Sequence, residues 1–331
     1  STQGYSSAAS DVYKRQKWTL SLSAPLRWTG YTGVGFSRIS VNPSLSIIYK
    51  LNYAWRFTVH ASYKERYGEM TDLYDRPYQT DYRNSVWNCG ILPVYRQQLY
   101  SVYGEYKNTA REFFATVNLT HNREWYNRIY EQRIENGQVQ RVSLPLSNHG
   151  SGYTVKSTLS KGFYDLGLKT SFLALLNISK AEQISGGQRL PYQYRLMRLE
   201  PKVIWTPNRH WETSYQTDIR YGGSKIGERT RLAPLWNVIQ QVQLSYIFSP
   251  IEASLSVDHY HNDVNEDQSV NAVFADFSVS WKSGRWQITA TATNLFDKRT
   301  YAYTRYASLE SYTSWVRIRP REFLVAIRYR L

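Results

Sequence analysis

From Lys17 onward, apolar and polar residues alternate with a period of two, the pattern of strands with one apolar and one polar face. In residues 55–64, Trp55, Phe57, Val59, Ala61 and Tyr63 share one face, and Arg56, Thr58, His60, Ser62 and Lys64 the other. The same alternation runs through 251–258, 273–281, 286–293 and 322–331. In the last of these, Phe323, Val325, Ile327, Tyr329 and Leu331 align against Arg328 and Arg330. The pattern predicts about fourteen strands, near 17–27, 41–51, 53–65, 92–107, 110–125, 150–163, 165–179, 192–206, 209–222, 236–249, 251–261, 269–282, 285–296 and 311–331. Helical periodicity is absent.

Many of these segments exceed the roughly 5–6 residues of an average soluble strand. They match the roughly 9–11 residues of a tilted membrane-spanning strand. Their connections alternate in length. Short ones fall at Asn52–Tyr53, Asn108–Thr109, Tyr164–Asp165, Pro207–Asn208, Ser249–Pro250 and Ser283–Gly284, with long polar stretches such as 66–91 and 126–149 between them. Short turns at one end and long loops at the other are the asymmetry of outer-membrane barrels. Trp18, Trp55, Trp205, Trp211, Trp281 and Trp286 all fall at the short-turn end. An aromatic girdle at a lipid interface has that distribution, because the indole is an apolar ring with one polar N–H. The expected fold is all-β, an antiparallel up-and-down transmembrane barrel wall. A soluble sandwich or propeller predicts shorter strands or a blade-length repeat, and neither is present.

Composition adjusts this picture at two points. No run approaches the roughly 20 apolar residues of a membrane helix, so any crossing must be by strands. The net charge of +15 raises nucleic acid as a partner, but the basic residues are scattered and no zinc, helix-turn-helix or RNP-like pattern accompanies them. The single cysteine, Cys89, excludes an internal disulfide. It is expected to be buried and inert rather than reactive.

At 291–331 the chain resembles the C-terminal end of TonB-dependent outer-membrane receptors. Asn294, Leu295, Phe296, Asp297, Lys298 and Tyr301 match that family's Asn-Leu-Phe-Asp-Lys-x-Tyr-like segment, one hairpin before the closing strand. Ile318, Arg319, Pro320, Arg321 and Glu322 match the approach to that strand. The final strand departs in one respect: it ends in Leu331, with Tyr329 one same-face step earlier, where such barrels commonly end in an aromatic residue. The resemblance implies a barrel of about 22 strands around an N-terminal plug and import of a scarce nutrient such as an iron chelate, cobalamin, an oligosaccharide or a peptide. It also implies energy supplied through the TonB complex, and lipid and lipopolysaccharide as surroundings. No plug and no TonB box is visible here. Residues 17–331 are therefore expected to be the C-terminal part of a larger barrel.

The first sixteen residues fit nothing after them and lack the basic and apolar regions of a secretion signal. Ser6–Gln16 can be encoded by the end of a transposase-type sequencing-library adapter, and Ser1–Gln3 fits the same frame upstream, with a genuine disordered tail as the alternative. The expectation is a non-native tail without structure or function, joined at Lys17.

No catalytic constellation can be assembled, so the expected chemistry is binding and passage without a cofactor. On the polar faces, Arg56, His60 and Lys64 stack along one strand and Arg198 and Lys202 along another, with Arg220, Arg328 and Arg330 elsewhere. These are candidate lumen residues, and their simplest role is pairing with carboxylates such as Glu200, Glu212, Asp218, Glu252 and Asp258. Loops 66–91, 126–149 and 297–313 are the candidate ligand contacts, with Tyr74, Tyr78, Trp87, Tyr303 and Tyr306. Asp258, His259, His261 and Asp263 are weak metal candidates, and Asp72, Asp75 and Asp81 carry oxygen ligands of the kind calcium takes. A complete passive porin of about fourteen strands is the alternative reading, and an outer-membrane enzyme a third.

Overall fold

The computed structural model describes residues 17–31, 35–82, 84–135, 138–227, 230–264, 267–307 and 310–330. The tail expected over residues 1–16 and the terminal Leu331 lie outside these. Among the described residues twenty-two strands follow one another. They are β1 (Trp18–Ser23), β2 (Leu26–Tyr31), β3 (Phe36–Val41), β4 (Ser44–Lys50), β5 (Trp55–Tyr67), β6 (Tyr78–Gln79), β7 (Asn84–Trp87), β8 (Val94–Asn108), β9 (Phe113–Tyr126), β10 (Ile129–Glu135) and β11 (Gln138–Leu144). They continue as β12 (Asn148–Phe163), β13 (Leu168–Ser185), β14 (Gln188–Asn208), β15 (Trp211–Ile226), β16 (Thr230–Phe248), β17 (Ile251–Asp263), β18 (Ser269–Ser283), β19 (Trp286–Thr293), β20 (Thr300–Ala307), β21 (Glu310–Arg317) and β22 (Glu322–Tyr329).

Eighteen strands form one sheet. Four of them, β6, β7, β10 and β11, build a cap over the long-loop end. The other fourteen form an antiparallel meander, β1-β4-β5-β8-β9-β12-β13-β14-β15-β16-β17-β18-β19-β22. Among the described residues β1 pairs only with β4 and β22 only with β19, so the wall has two open edges.

Asparagines hold three of the short turns, at Asn52, Asn108 and Asn208. The Asn52 Oδ1 accepts the backbone N–H groups of Ala54 and Trp55, and the Asn208 Oδ1 those of His210 and Trp211. Such side-chain mimicry of a backbone turn is why asparagine ends these strands so abruptly. The same end carries aromatic pairs across adjacent strands: Trp18 on Tyr49 (4.2 Å between ring centroids), Trp55 on Tyr106 (4.8 Å), Trp211 on Tyr246 (4.6 Å) and Trp286 on Tyr329 (4.8 Å).

The register assigns every wall residue to a face. Leu119, Val155, Leu176, Met197 and Tyr221 form one row across five strands, and Leu119 and Leu176 are 47% and 43% exposed. Apolar side chains thus point away from the fold, and the few buried ones, such as Ile129, Val142 and Leu235, sit mainly near the cap or under the β20–β21 hairpin. That inversion is stable only where the surrounding solvent is itself apolar. On β14 the band runs from Trp205 to Arg195. Ten residues at ~3.3 Å each, tilted by ~40°, give about 25 Å along the membrane normal, the height of an outer-membrane barrel's apolar band.

Three expected segments differ from the observed strands. Residues 17–27 divide into β1 and the first part of the β2–β3 hairpin, and 311–331 divides into β21 and β22. The stretch 180–191, expected as a loop, continues β13 and β14 to a two-residue turn at Gly186 and Gly187. Both glycines have positive φ (57° and 75°), as a tight hairpin of the required twist demands.

The β2–β3 hairpin docks on the wall above the apolar band. Phe36 meets Tyr67 edge-on at 5.2 Å, and Arg38 lies 3.7 Å from Glu65. Glu65, 8% exposed, accepts from Tyr67, from Tyr63 (3.2 Å) and from the Arg96 Nε (3.0 Å).

Candidate functional site

The long loops fold rather than trail. Residues 66–91 contain a 3-10 turn at Met70–Leu73 and the strands β6 and β7. Residues 126–149 form the β10–β11 hairpin, and β11 pairs in parallel with β7 from Val139↔Asn84 to Val142↔Trp87. Parallel pairing of two separate loops locks them into one cap.

Arg128 pins this cap to the wall. It is 6% exposed. It donates from Nη1 to the Asp72 Oδ1 (2.9 Å) and from Nη2 to the Tyr95 hydroxyl (2.6 Å), while its guanidinium lies 5.0 Å from the Tyr130 ring. Arg141 covers Tyr130 at 3.6 Å. Burial pushes the Tyr130 hydroxyl up from its ordinary value, so it stays a neutral donor. Beneath the cap lies a cavity of about 910 Å³ lined by Tyr95, Glu124, Tyr126, Arg128, Tyr130 and Arg141 among others. Glu124 is already satisfied: it accepts from Gln97 (2.9 Å), Asn122 (3.2 Å) and Tyr126. The Arg128 Nε is buried without a protein partner among the described residues. The chamber therefore offers the phenols of Tyr95, Tyr126 and Tyr130, the guanidiniums of Arg128 and Arg141 and an unspent N–H donor, beside the carboxylates of Asp81, Glu131 and Glu182.

A second polar cluster lies on the same face in mid-wall. Arg198 makes two bonds to Asp218 (3.1 and 3.0 Å) and pairs with Glu200, and Arg220 reaches the same Asp218 at 2.6 Å. Tyr301 and Tyr303 of β20 roof this cluster over a cavity of about 560 Å³. The β20–β21 hairpin is held across the polar face by Asn262, whose Nδ2 donates to the Tyr301 hydroxyl (2.8 Å), and by Thr304, which donates to the Val264 carbonyl (3.2 Å).

The family-like segment is the hinge that sends β20 there. Asn294 has φ of 51° and is 6% exposed. Its Nδ2 donates to the carbonyls of Lys298 (2.8 Å) and Arg319 (2.9 Å), and its Oδ1 accepts the Lys298 N–H (3.0 Å). The Leu295 N–H bonds to the Ala275 carbonyl, and Phe296 is exposed. Asp297 holds Arg299 (2.9 Å) and the Arg321 N–H (3.1 Å), so one turn clamps both ends of the loop.

The remaining candidates fall as follows. Arg56 is on the polar face, paired with Glu105 at 2.6 Å. His60, Lys64 and Lys202 share that face by register, as does Arg328 on the open edge strand, where Phe323, Val325, Ile327 and Tyr329 line the apolar side. Arg330 follows β22, its N–H bonded to the Arg285 carbonyl. Tyr74 and Tyr78 touch one another and Trp87 donates to the Asp75 carbonyl (2.7 Å); these three shape the cap and do not line the chamber. The Tyr306 side chain is outside the described ones. Cys89 is half-buried and accepts from the Ser143 hydroxyl (3.3 Å).

The metal candidates do not converge. His259 and His261 lie on the apolar face with Asp263, 3.3 Å from His261, whereas Asp258 points to the polar face. Asp72 is committed to Arg128 and to the Glu69 N–H, and Asp81 to Asn84. No group of three potential metal ligands occurs among the described residues. Sequence reading missed Arg128 and Tyr95, because the signal that joins them is the pairing of two distant loops.

The sequence matches no protein-family model and no curated protein. Solved structures do match. The FrpB iron transporter of Neisseria meningitidis aligns with a TM-score of 0.52 at 10% identity, over 90% of this chain and 48% of that one. The ferric preacinetobactin receptor BauA of Acinetobacter baumannii aligns over 94% of this chain and 55% of that one, at 8% identity and a TM-score of 0.49. The chain thus shares its β-barrel wall fold with the FrpB iron transporter, and it spans about half the length of the structures it resembles.

Proposed function

We propose that residues 17–331 form the C-terminal part of the barrel of a TonB-dependent outer-membrane receptor that takes up a scarce nutrient. The observation that carries this reading is the fourteen-strand meander with apolar faces outward, short turns at one end and interlocked loops at the other. The chamber under the cap is the proposed ligand-contact region. Its phenols and guanidiniums suit an oxygen-rich compound, the common feature of iron chelates, oligosaccharides and peptides. The mid-wall cluster is charge-balanced through Asp218 and Glu200, which suits contact with a neighbouring folded segment better than capture of an anion. The proposed chemistry is binding and gated passage, with energy delivered through TonB to a plug encoded upstream and no covalent step. The surroundings are outer-membrane lipid.

The decisive experiment uses the longer reading frame. Codons upstream of Lys17 are expected to encode a plug and about eight further strands, and uptake by that protein should stop when TonB is deleted. A start codon and secretion signal directly before Lys17, with TonB-independent conductance, would establish a passive porin instead. That alternative requires β1 to pair with β22; among the described residues β1 pairs with β4 and β22 with β19.

A further inference from the structure

The outward face of the wall carries a polar row inside its apolar band. Thr217 on β15 is opposite Gln240 on β16, and Gln240 is opposite His259 on β17. Toward the turns the next row holds Val242, Val257 and Ala275, and toward the loops Ile219 and Val238. Gln240 and His259 each lie eight residues from Phe248 and Ile251, the strand ends at the 249–250 turn. At ~3.3 Å per residue and ~40° of tilt that places them ~20 Å above the turn, within a band of ~25 Å. The same tilt separates register partners on adjacent strands by ~3 Å in depth, so both stay in the band.

The His259 Nδ1 donates to the Gln240 Oε1 across 3.4 Å. Among the described residues the His259 Nε2, then an acceptor, and the Gln240 Nε2, a donor, have no partner. The Thr217 hydroxyl, on a residue 3% exposed, is unpaired as well. His261, one step toward the loops, differs: Asn271 (2.9 Å) and Asp263 (3.3 Å) hold its two nitrogens. Lipid tails offer no hydrogen bonds, so an unpaired amide and imidazole are costly there. A protein neighbour in the membrane removes that cost.

We propose that the outward face of β15–β18 is an interface with a second copy of this chain. The unpaired groups are self-complementary, one donor and one acceptor on neighbouring strands. A two-fold axis along the membrane normal keeps both copies in the same orientation and leaves every depth unchanged. Passing between β16 and β17, it sets each copy's Gln240 against the partner's His259, as an isologous contact requires. The amide N–H of Gln240 then donates to the facing Nε2, once in each direction. The ~3 Å offset in depth is within the swing of a glutamine side chain. Four strands at ~4.8 Å make a face ~19 Å wide. Over the ~25 Å band two such faces bring together about 1,000 Å², the lower bound of a specific interface. The proposal rests on the membrane reading above and is independent of the ligand.

The test is single-molecule photobleaching of the protein from the longer reading frame, labelled once per copy and highly diluted in phosphatidylcholine vesicles. Its closed wall removes association through the β1 and β22 edges. Two-step bleaching should dominate. Gln240→Leu and His259→Leu should each weaken dimerisation at least tenfold. The double variant should lose no more than either single one, because each substitution already breaks both symmetric bonds. In a Cys89→Ser background that leaves Gln240 and His259 in place, a bismaleimide should join copies through Val257→Cys. It should not join them through Leu119→Cys, on the same face six strands away. Single-step bleaching of the wild type, dimers indifferent to both leucine substitutions, or cross-linking through Leu119→Cys instead overturns the interface. A protein that enters no vesicle overturns the membrane reading itself, an outcome separable from the others because no labelled copy is then found in lipid.

Discussion

Arg128 reaches Asp72 across 56 positions of sequence, a 2.9 Å bond that joins the β10–β11 hairpin to the loop following β5. The guanidinium is almost wholly covered and the carboxylate 21% exposed. Removing one partner of such a pair leaves a charge without compensation, at a cost of roughly 3–5 kcal/mol. Arg128→Gln should therefore open the cap, seen as faster proteolysis within 66–91 with the wall intact. Adding Asp72→Asn should recover part of the protection. Unchanged cleavage would mean that the β7–β11 pairing holds the cap alone.

The docking of the β2–β3 hairpin depends on pH at both extremes. Burial pushes the Glu65 carboxyl up, but hydrogen bonds from Tyr67 and Arg96 and the charge of Arg96 outweigh it, and the group is held below its ordinary 4.5. A lowered value means the stabilisation is complete above pH 4.5 and is lost as pH falls through the folded-state value. Burial and Glu65 push the Tyr67 hydroxyl up to about 12, so that contribution is present below pH 10 and lost toward 12. Hydrogen-exchange protection of 36–41 should fall on both arms. Glu65→Gln should flatten the acid arm, and an unaltered acid arm would assign it elsewhere.

Asn294 combines a left-handed backbone with three side-chain hydrogen bonds. Asn294→Gly keeps the backbone and loses the bonds; Asn294→Ala loses both. With ~1 kcal/mol for each bond and ~1 kcal/mol for an alanine in the left-handed region, resistance to urea should fall in the order wild type, glycine, alanine. Equal loss in both variants would remove the backbone from the explanation.

The six tryptophans at the short-turn end should lie at one depth. Fluorescence of Trp18, Trp55, Trp205, Trp211, Trp281 and Trp286, each retained singly, should be quenched by bromines near the head group more than by bromines near the acyl terminus. Strong quenching at the bilayer centre would contradict the girdle.

The wall was readable because lipid and lumen impose opposite polarities on alternate residues, as in Trp55 to Lys64. Legibility stops where the strands leave the band. At Lys180–Tyr192 both faces meet water, alternation disappears, and the continuous hairpin reads as loop. The cap was hidden for a related reason: the Arg128–Asp72 and Val139–Asn84 contacts join loops whose sequences give no sign of each other. The His259–His261 pair is the reverse case: alternation puts both imidazoles on one strand face, and the register keeps them there, on the side facing away from Asp258.

The two open edges have a consequence for parity. Lys17 meets Lys50 and Arg330 meets Arg285, beside the turns at 51–54 and 284–285, so β1 begins and β22 finishes at the same end of the wall. Strands that complete the ring with antiparallel neighbours throughout must then be even in number, entering and leaving at that end. An odd complement would force one parallel seam. The direction of the edges thus restricts what can close this wall before anything is known of its sequence.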